Sequence, residues 1–93
     1  MKIFQSRSFE RKVKKFNKSQ KSLLDKQGRR ILEDPAVGTE KKGDLRGIHV
    51  HKFKLKTIQY LLAYRIAGEN LELIMIGPHQ NYYRDLKKYI KNT

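Results

Sequence analysis

The run His49-Val50-His51-Lys52-Phe53-Lys54-Leu55-Lys56 alternates basic and apolar residues. Successive side chains of a β-strand point to opposite faces. Lys52, Lys54 and Lys56 would then form one cationic row, while Phe53 and Leu55 turn into a core. Ammonium groups on a rigid strand can hold a phosphate backbone in place. They can also stabilise charge that develops on a phosphate while a strand is cut. A simpler use of the same lysines is to keep an exposed edge strand soluble.

Two further residue types could move protons. His79 lies between an expected strand end and an expected helix, an accessible place for an imidazole that titrates near neutral pH. Tyr82 and Tyr83 are adjacent, so on a helix they diverge by about 100°. Tyr82 shares a stripe with Leu86 and Tyr89 and is expected in the core. Tyr83 is expected to reach the open side of the sheet, where it could stack on a base or donate a proton. A phenol with a pKa of about 10 is a poor base at neutral pH.

Together these groups fit attack of a ribose 2′-hydroxyl on its neighbouring phosphate. That reaction needs positioning, a proton acceptor, cationic stabilisation and a protonated leaving group, but no metal. Pure binding would use the same groups without chemistry, and spacing does not separate the two. The expected catalytic set is Lys52, Lys54, His79 and Tyr83. Lys56, Arg65, Arg84 and Arg46 are expected as additional substrate contacts. His49 and His51, placed on the Phe53 side, are expected to be structural. With no cysteine and the third histidine distant, a closed zinc site is not expected. Gly43-Asp44-Leu45-Arg46-Gly47 reads as a turn, not a phosphate-binding loop, so no cofactor is expected.

These residues need a frame. Ile3 and Phe4 fit a short first strand. Phe9, Val13 and Phe16 recur at helical spacing from about Ser8, among many lysines and arginines. Ser19 is the expected cap of a second helix over 20–33, with Leu23, Leu24, Gln27, Ile31 and Leu32 buried and Pro35 as its stop. Residues 34–47, with Pro35, Gly38, Gly43 and Gly47, read as an irregular connection. Strands follow over 48–56, 58–66 and 70–77, the last alternating Leu71, Leu73 and Met75 with Glu72, Ile74 and Ile76. Gly77-Pro78 ends that run, and a C-terminal helix carries Tyr82, Leu86, Tyr89 and Ile90 inward. The expected fold is α+β: an N-terminal strand and helical hairpin packed on an antiparallel sheet, closed by a C-terminal helix.

The bulk properties agree with one small domain over 1–93. The 22 Lys and Arg against 9 Asp and Glu give a formal charge of +13, which draws the chain to polyanions. Nucleic acid or an acidic protein is the expected partner. An anionic membrane surface is the weakest of the possible partners, because the strands are aromatic-rich and no amphipathic insertion helix is present. No apolar run approaches the roughly 20 residues that span a bilayer. The N-terminus lacks the apolar stretch of a secretory signal, and a cytoplasmic location is expected.

Several of these stretches, in this order, resemble the RelE/ParE superfamily of bacterial type II toxins. They are Leu45-Arg46-Gly47 before the meander, Lys52-Phe53-Lys54-Leu55-Lys56, Tyr60-Leu61-Leu62-Ala63-Tyr64-Arg65, and the ending from Gly77 to Leu86. The resemblance covers nearly the whole chain. It implies a small toxin neutralised by a cognate antitoxin. In the RelE branch it implies a metal-independent endoribonuclease that cuts mRNA on the ribosome. In the ParE branch it implies inhibition of DNA gyrase. A nucleic-acid-binding protein without catalysis is the remaining alternative. Lys52 and Lys54 match two basic residues of the RelE branch that position RNA and take part in catalysis. Tyr83 matches a tyrosine near the start of its last helix, and His79 falls near a functional arginine or histidine of some members. One position departs. Leu61 stands where that branch carries a phosphate-stabilising arginine, and Arg65, four residues later, does not fill the place.

Overall fold

The computed structural model describes residues 2–91, leaving out the side chain of Asp44. Strand β1 (Lys2–Gln5) leads into helices α1 (Arg7–Lys14) and α2 (Lys18–Glu33). A two-residue strand β2 (Thr39–Glu40) and a 3-10 turn (Gly43–Leu45) precede the meander β3 (His49–Leu55), β4 (Ile58–Ala67) and β5 (Asn70–Pro78), and helix α3 (Tyr82–Lys91) closes the chain. The five strands form one sheet in the order β1-β5-β4-β3-β2.

The starts of α1 and α2 each have a visible cause. Ser6 caps α1 by accepting from the Phe9 amide, and its hydroxyl donates to the Ile74 carbonyl, fastening the helix to β5. Asn17, not Ser19, caps α2, through reciprocal bonds of 2.8 and 2.9 Å with Gln20. That pair satisfies two amides that the first turn would otherwise leave open. α2 therefore begins at Lys18, two residues before the expected start at 20.

The sheet is mixed, not wholly antiparallel. β1 pairs parallel to β5, with Lys2 opposite Asn70 and Gln5 opposite Leu73, while the other three pairings are antiparallel. A bulge separates the pairs Ala63–Met75 and Tyr64–Leu73, leaving Ile74 as the extra residue. It breaks the regular alternation expected for β5: Leu73 packs beneath α1 and α2, whereas Ile74 and Met75 belong to the opposite core.

The two faces of the sheet have separate cores. α1, α2 and the link between them lay Phe9, Phe16, Leu24 and Ile31 over Phe53, Leu62 and their neighbours. α3 lays Tyr82 and Leu86 over Leu45, Val50, Leu61 and Ala63. Ten residues make α3 about 15 Å long. The ten-residue strand β4 beneath it runs about 33 Å. One short helix cannot cover that face, and the part left open is the end that carries Lys52 and Lys54. None of the described helices is long and apolar enough to cross a membrane.

His51 fastens the covered face. Its Nε2 lies 2.7 Å from the Gln27 Oε1 of α2, and its ring stacks on Phe53. Burial and then the nearby Arg30 charge lower its pKa below the ordinary 6.5. The folded chain thus binds this proton less readily than the unfolded chain. The His51 contribution is fully present above pH 6.5 and is lost as the pH falls through the folded value. Thermal midpoints measured from pH 7.5 to 5.5 should fall on the acid side and do so less in His51→Gln. Parallel profiles for the two proteins would remove His51 as the titrating group.

Candidate functional site

β3 presents its residues as the alternation requires. His51, Phe53 and Leu55 are buried under α1 and α2, while Lys52 and Lys54 are exposed on the α3 side. Their Cα atoms are about 7 Å apart along the strand. Lys56 is not part of this row. The strand ends at Leu55, and Lys56 lies in the turn with φ of 60°, a left-handed backbone that an L-residue adopts at some cost. It remains exposed beside the row.

Backbone pairing defines what surrounds the two lysines. Lys52 is opposite Leu61, and Leu61 is opposite Gly77. Lys54 is opposite Gln59, whose carbonyl accepts from the His79 amide at 3.1 Å. His79 therefore sits two strand spacings from Lys54, about 10 Å across the sheet. The floor between carries no charge: across from Lys54 it is the exposed Gln59, and across from Lys52 the fully buried Leu61 and then Gly77, which has no side chain.

The start of α3 forms the wall. Tyr82 lies over Gly77, and its hydroxyl donates to the Met75 carbonyl at 2.6 Å. Burial pushes that phenol far above its ordinary range, so Tyr82 is a structural residue. Tyr83 is half-buried at the rim of the second core. Its ring meets Tyr82 and His79 edge-on, at centroid distances of 5.8 and 6.4 Å. A third neighbour comes from a segment read as irregular: the Lys41 ammonium stands 4.8 Å from the Tyr83 centroid. Lys41 directly follows β2, and its amide donates to the Ile48 carbonyl at 2.8 Å.

Of the expected residues, the fold brings Lys52, Lys54, His79 and Tyr83 to one face. Arg65 is not among them. It lies about 20 Å along β4 from Gln59, and Glu72, its cross-strand partner, holds its guanidinium at 2.7 Å. Arg84 is exposed beside Asp85, at 3.4 Å. Arg46 is exposed in the loop that packs against α3 through Leu45. His49 stacks on Tyr64 on the covered side. Among the described residues, no group of three or more His, Asp or Glu could hold a metal ion. Sequence reasoning missed Lys41, because two residues of strand give no periodic signal. The Lys41-Lys42 pair was the only local mark.

A family model described as ParE-like toxin of type II bacterial toxin-antitoxin system matches residues 3–87. No curated protein sequence matches the chain. Among solved structures, a double mutant of E. coli toxin RelE in the free state has a TM-score of 0.72 at 18% identity, covering 98% of this chain and 95% of that one. The YoeB/ParE toxin from Agrobacterium tumefaciens has a TM-score of 0.66 at 19% identity, with 85% and 99% covered. A chain of the intact E. coli RelBE toxin–antitoxin complex has a TM-score of 0.65 at 20% identity, with 82% and 93% covered. At these identities the likeness is one of fold.

Proposed function

Since this chain belongs to the ParE-like toxins of type II bacterial toxin–antitoxin systems, we propose that its poison is a ribosome-dependent cut in mRNA. The observation that carries this reading is the open part of the α3 face. Lys52 and Lys54 project from β3 there, and the contacting rings of His79 and Tyr83 border the same ground. Lysine ammonium groups neutralise the non-bridging oxygens of the scissile phosphate, an effect that grows as charge builds in the transition state. The His79 imidazole takes the proton from the ribose 2′-hydroxyl. That oxygen bonds to phosphorus, the bond to the 5′-oxygen breaks, and the Tyr83 hydroxyl donates a proton to the leaving oxygen. The products are a 2′,3′-cyclic phosphate and a 5′-hydroxyl end, with no metal or other cofactor in the step.

This surface is shallow and built from side chains of general affinity for phosphate, so selection of the cleavage site rests on the ribosome presenting the message. The protein partner is an antitoxin. A chain of formal charge +13 favours one with acidic residues against the Lys52 face.

Leu61 supports a second reading. With the middle of the floor buried and uncharged, phosphate is gripped from the β3 side and the rim only. Gyrase inhibition, the activity of the ParE branch, requires no such grip. Purified toxin should be added to translating ribosomes with a defined message and, separately, to gyrase with relaxed plasmid. Cleavage with a cyclic-phosphate end is expected in the first assay. Blocked supercoiling with an intact message would replace the endonuclease reading by the gyrase one.

A further inference from the structure

We infer that Lys41 is a substrate-contacting cation, reaching the scissile phosphate from the side opposite Lys52 and Lys54. Among the described residues, every other lysine and arginine is exposed; Lys41 alone is half-buried. Its ammonium has no ion pair among the described residues, which hold only His49–Glu40, Arg65–Glu72 and Arg84–Asp85 pairs. Partial burial of a long cationic side chain gives up rotamer freedom. A cation held in place at that cost fits a waiting anion better than a solubilising coat.

The position is specific. β2 pairs antiparallel with β3, Thr39 opposite Val50 and Glu40 opposite His49, and the Lys41 amide extends that ladder to Ile48. Lys41 therefore stands on the same face as Val50 and Lys52, one strand beyond β3. From there its side chain crosses to the Tyr83 ring, 4.8 Å from the centroid, with His79 on another side of that ring. The ammonium, phenol and imidazole are contiguous on the face that also carries the two lysines.

The resting contact is weak enough to be exchanged. An ammonium over an aromatic ring at a partly exposed site is held only weakly. A hydrogen bond from an ammonium to a charged phosphate oxygen is stronger. A phosphate entering between Tyr83 and Lys52 thus draws Lys41 from the ring. The two non-bridging oxygens then meet ammonium groups from opposite sides, which the uncharged floor at Leu61 and Gly77 cannot supply.

This inference rests on the endonuclease reading, and its test keeps the two apart. Wild type, Lys41→Met, Lys41→Arg and Lys52→Ala are compared in single-turnover cleavage of ribosome-bound message at saturating toxin. Lys41→Met keeps the apolar stem and removes the charge, so thermal stability serves as a check on packing. Its cleavage rate is expected to fall roughly 10- to 100-fold, with Lys41→Arg restoring most of the loss and both proteins melting near wild type. Lys41→Met within twofold of wild type, while Lys52→Ala is inactive, would overturn the role of Lys41 and leave the endonuclease standing. So would a slow Lys41→Arg as well as a slow Lys41→Met, since that pattern marks a packing role. A wild type that does not cut would instead overturn the endonuclease reading itself.

Discussion

Replacing Lys52 and Lys54 together by alanine is expected to lower mRNA cleavage by about four orders of magnitude while leaving the thermal midpoint nearly unchanged. Removing one preorganised donor from a developing anion costs roughly 100- to 1,000-fold in rate. Losing two that flank one phosphate approaches the product of such factors, less their coupling. Stability is spared because both side chains are exposed and neither is in an ion pair among the described residues. Surface changes of this kind stay within about 0.5 kcal/mol. Lys87 and Lys88, exposed on the outside of α3, provide the control. Their double alanine variant loses the same charge from the whole chain and should retain cleavage. Equal losses in the two double variants would mean that net charge, not the β3 row, governs activity.

The largest stability effect is expected at Gly38. Its amide donates to the Tyr64 hydroxyl at 3.0 Å, and that hydroxyl donates to the Pro35 carbonyl at 2.6 Å. A Cβ on Gly38 would stand 2.8 Å from the hydroxyl oxygen, 2.9 Å from the ring carbon Cε1 and 3.1 Å from the Val50 carbonyl carbon. Tyr64 is fully buried beneath α2 and cannot retreat without disturbing the core around it. Gly38→Ala should therefore cost about 3 kcal/mol, through overpacking and a strained hydrogen-bond pair. For a domain of this size that is a fall in midpoint of roughly 15 °C. Gly28 makes the contrast. It lies inside α2 and an added Cβ meets nothing within 4 Å, so Gly28→Ala should stabilise by about 0.5–1 kcal/mol. Matching denaturation curves for Gly38→Ala and wild type would show that Tyr64 yields more easily than its packing implies.

What the sequence displayed follows from the range over which each element is specified. The β3 row was legible because a strand buried on one face writes a period of two into adjacent residues, and His51, Phe53 and Leu55 do fall on the buried side. Tyr82 and Leu86 were legible for the same reason on a helix. The second helix was found but its cap was misplaced, since Asn17 and Ser19 are both good caps and only the reciprocal bond with Gln20 decides between them. The bulge at Ile74 leaves no local signature in an unbroken apolar run. The parallel pairing of β1 depends on a partner some 68 residues away. Arg65 was grouped with the lysines because strand and charge were visible while distance along the strand was not. Lys41 escaped because its place is fixed by β2, whose existence depends on β3.

The pairing of β1 with β5 also fixes an order of events during synthesis. Lys2 cannot find Asn70, nor Ser6 the Ile74 carbonyl, until the last strand has been made. The rim of the site waits longer, because Tyr83 is carried by the final helix. A chain still being translated thus holds its N-terminal strand unpaired, and its Lys52 face has no wall. The poison becomes competent only after the ribosome making it has nearly finished. In a synthesis stopped at successive lengths, protease resistance of the N-terminal segment should appear only once residues past 73 have left the exit tunnel. That delay gives a partner already in the cell time to meet the chain before it is armed.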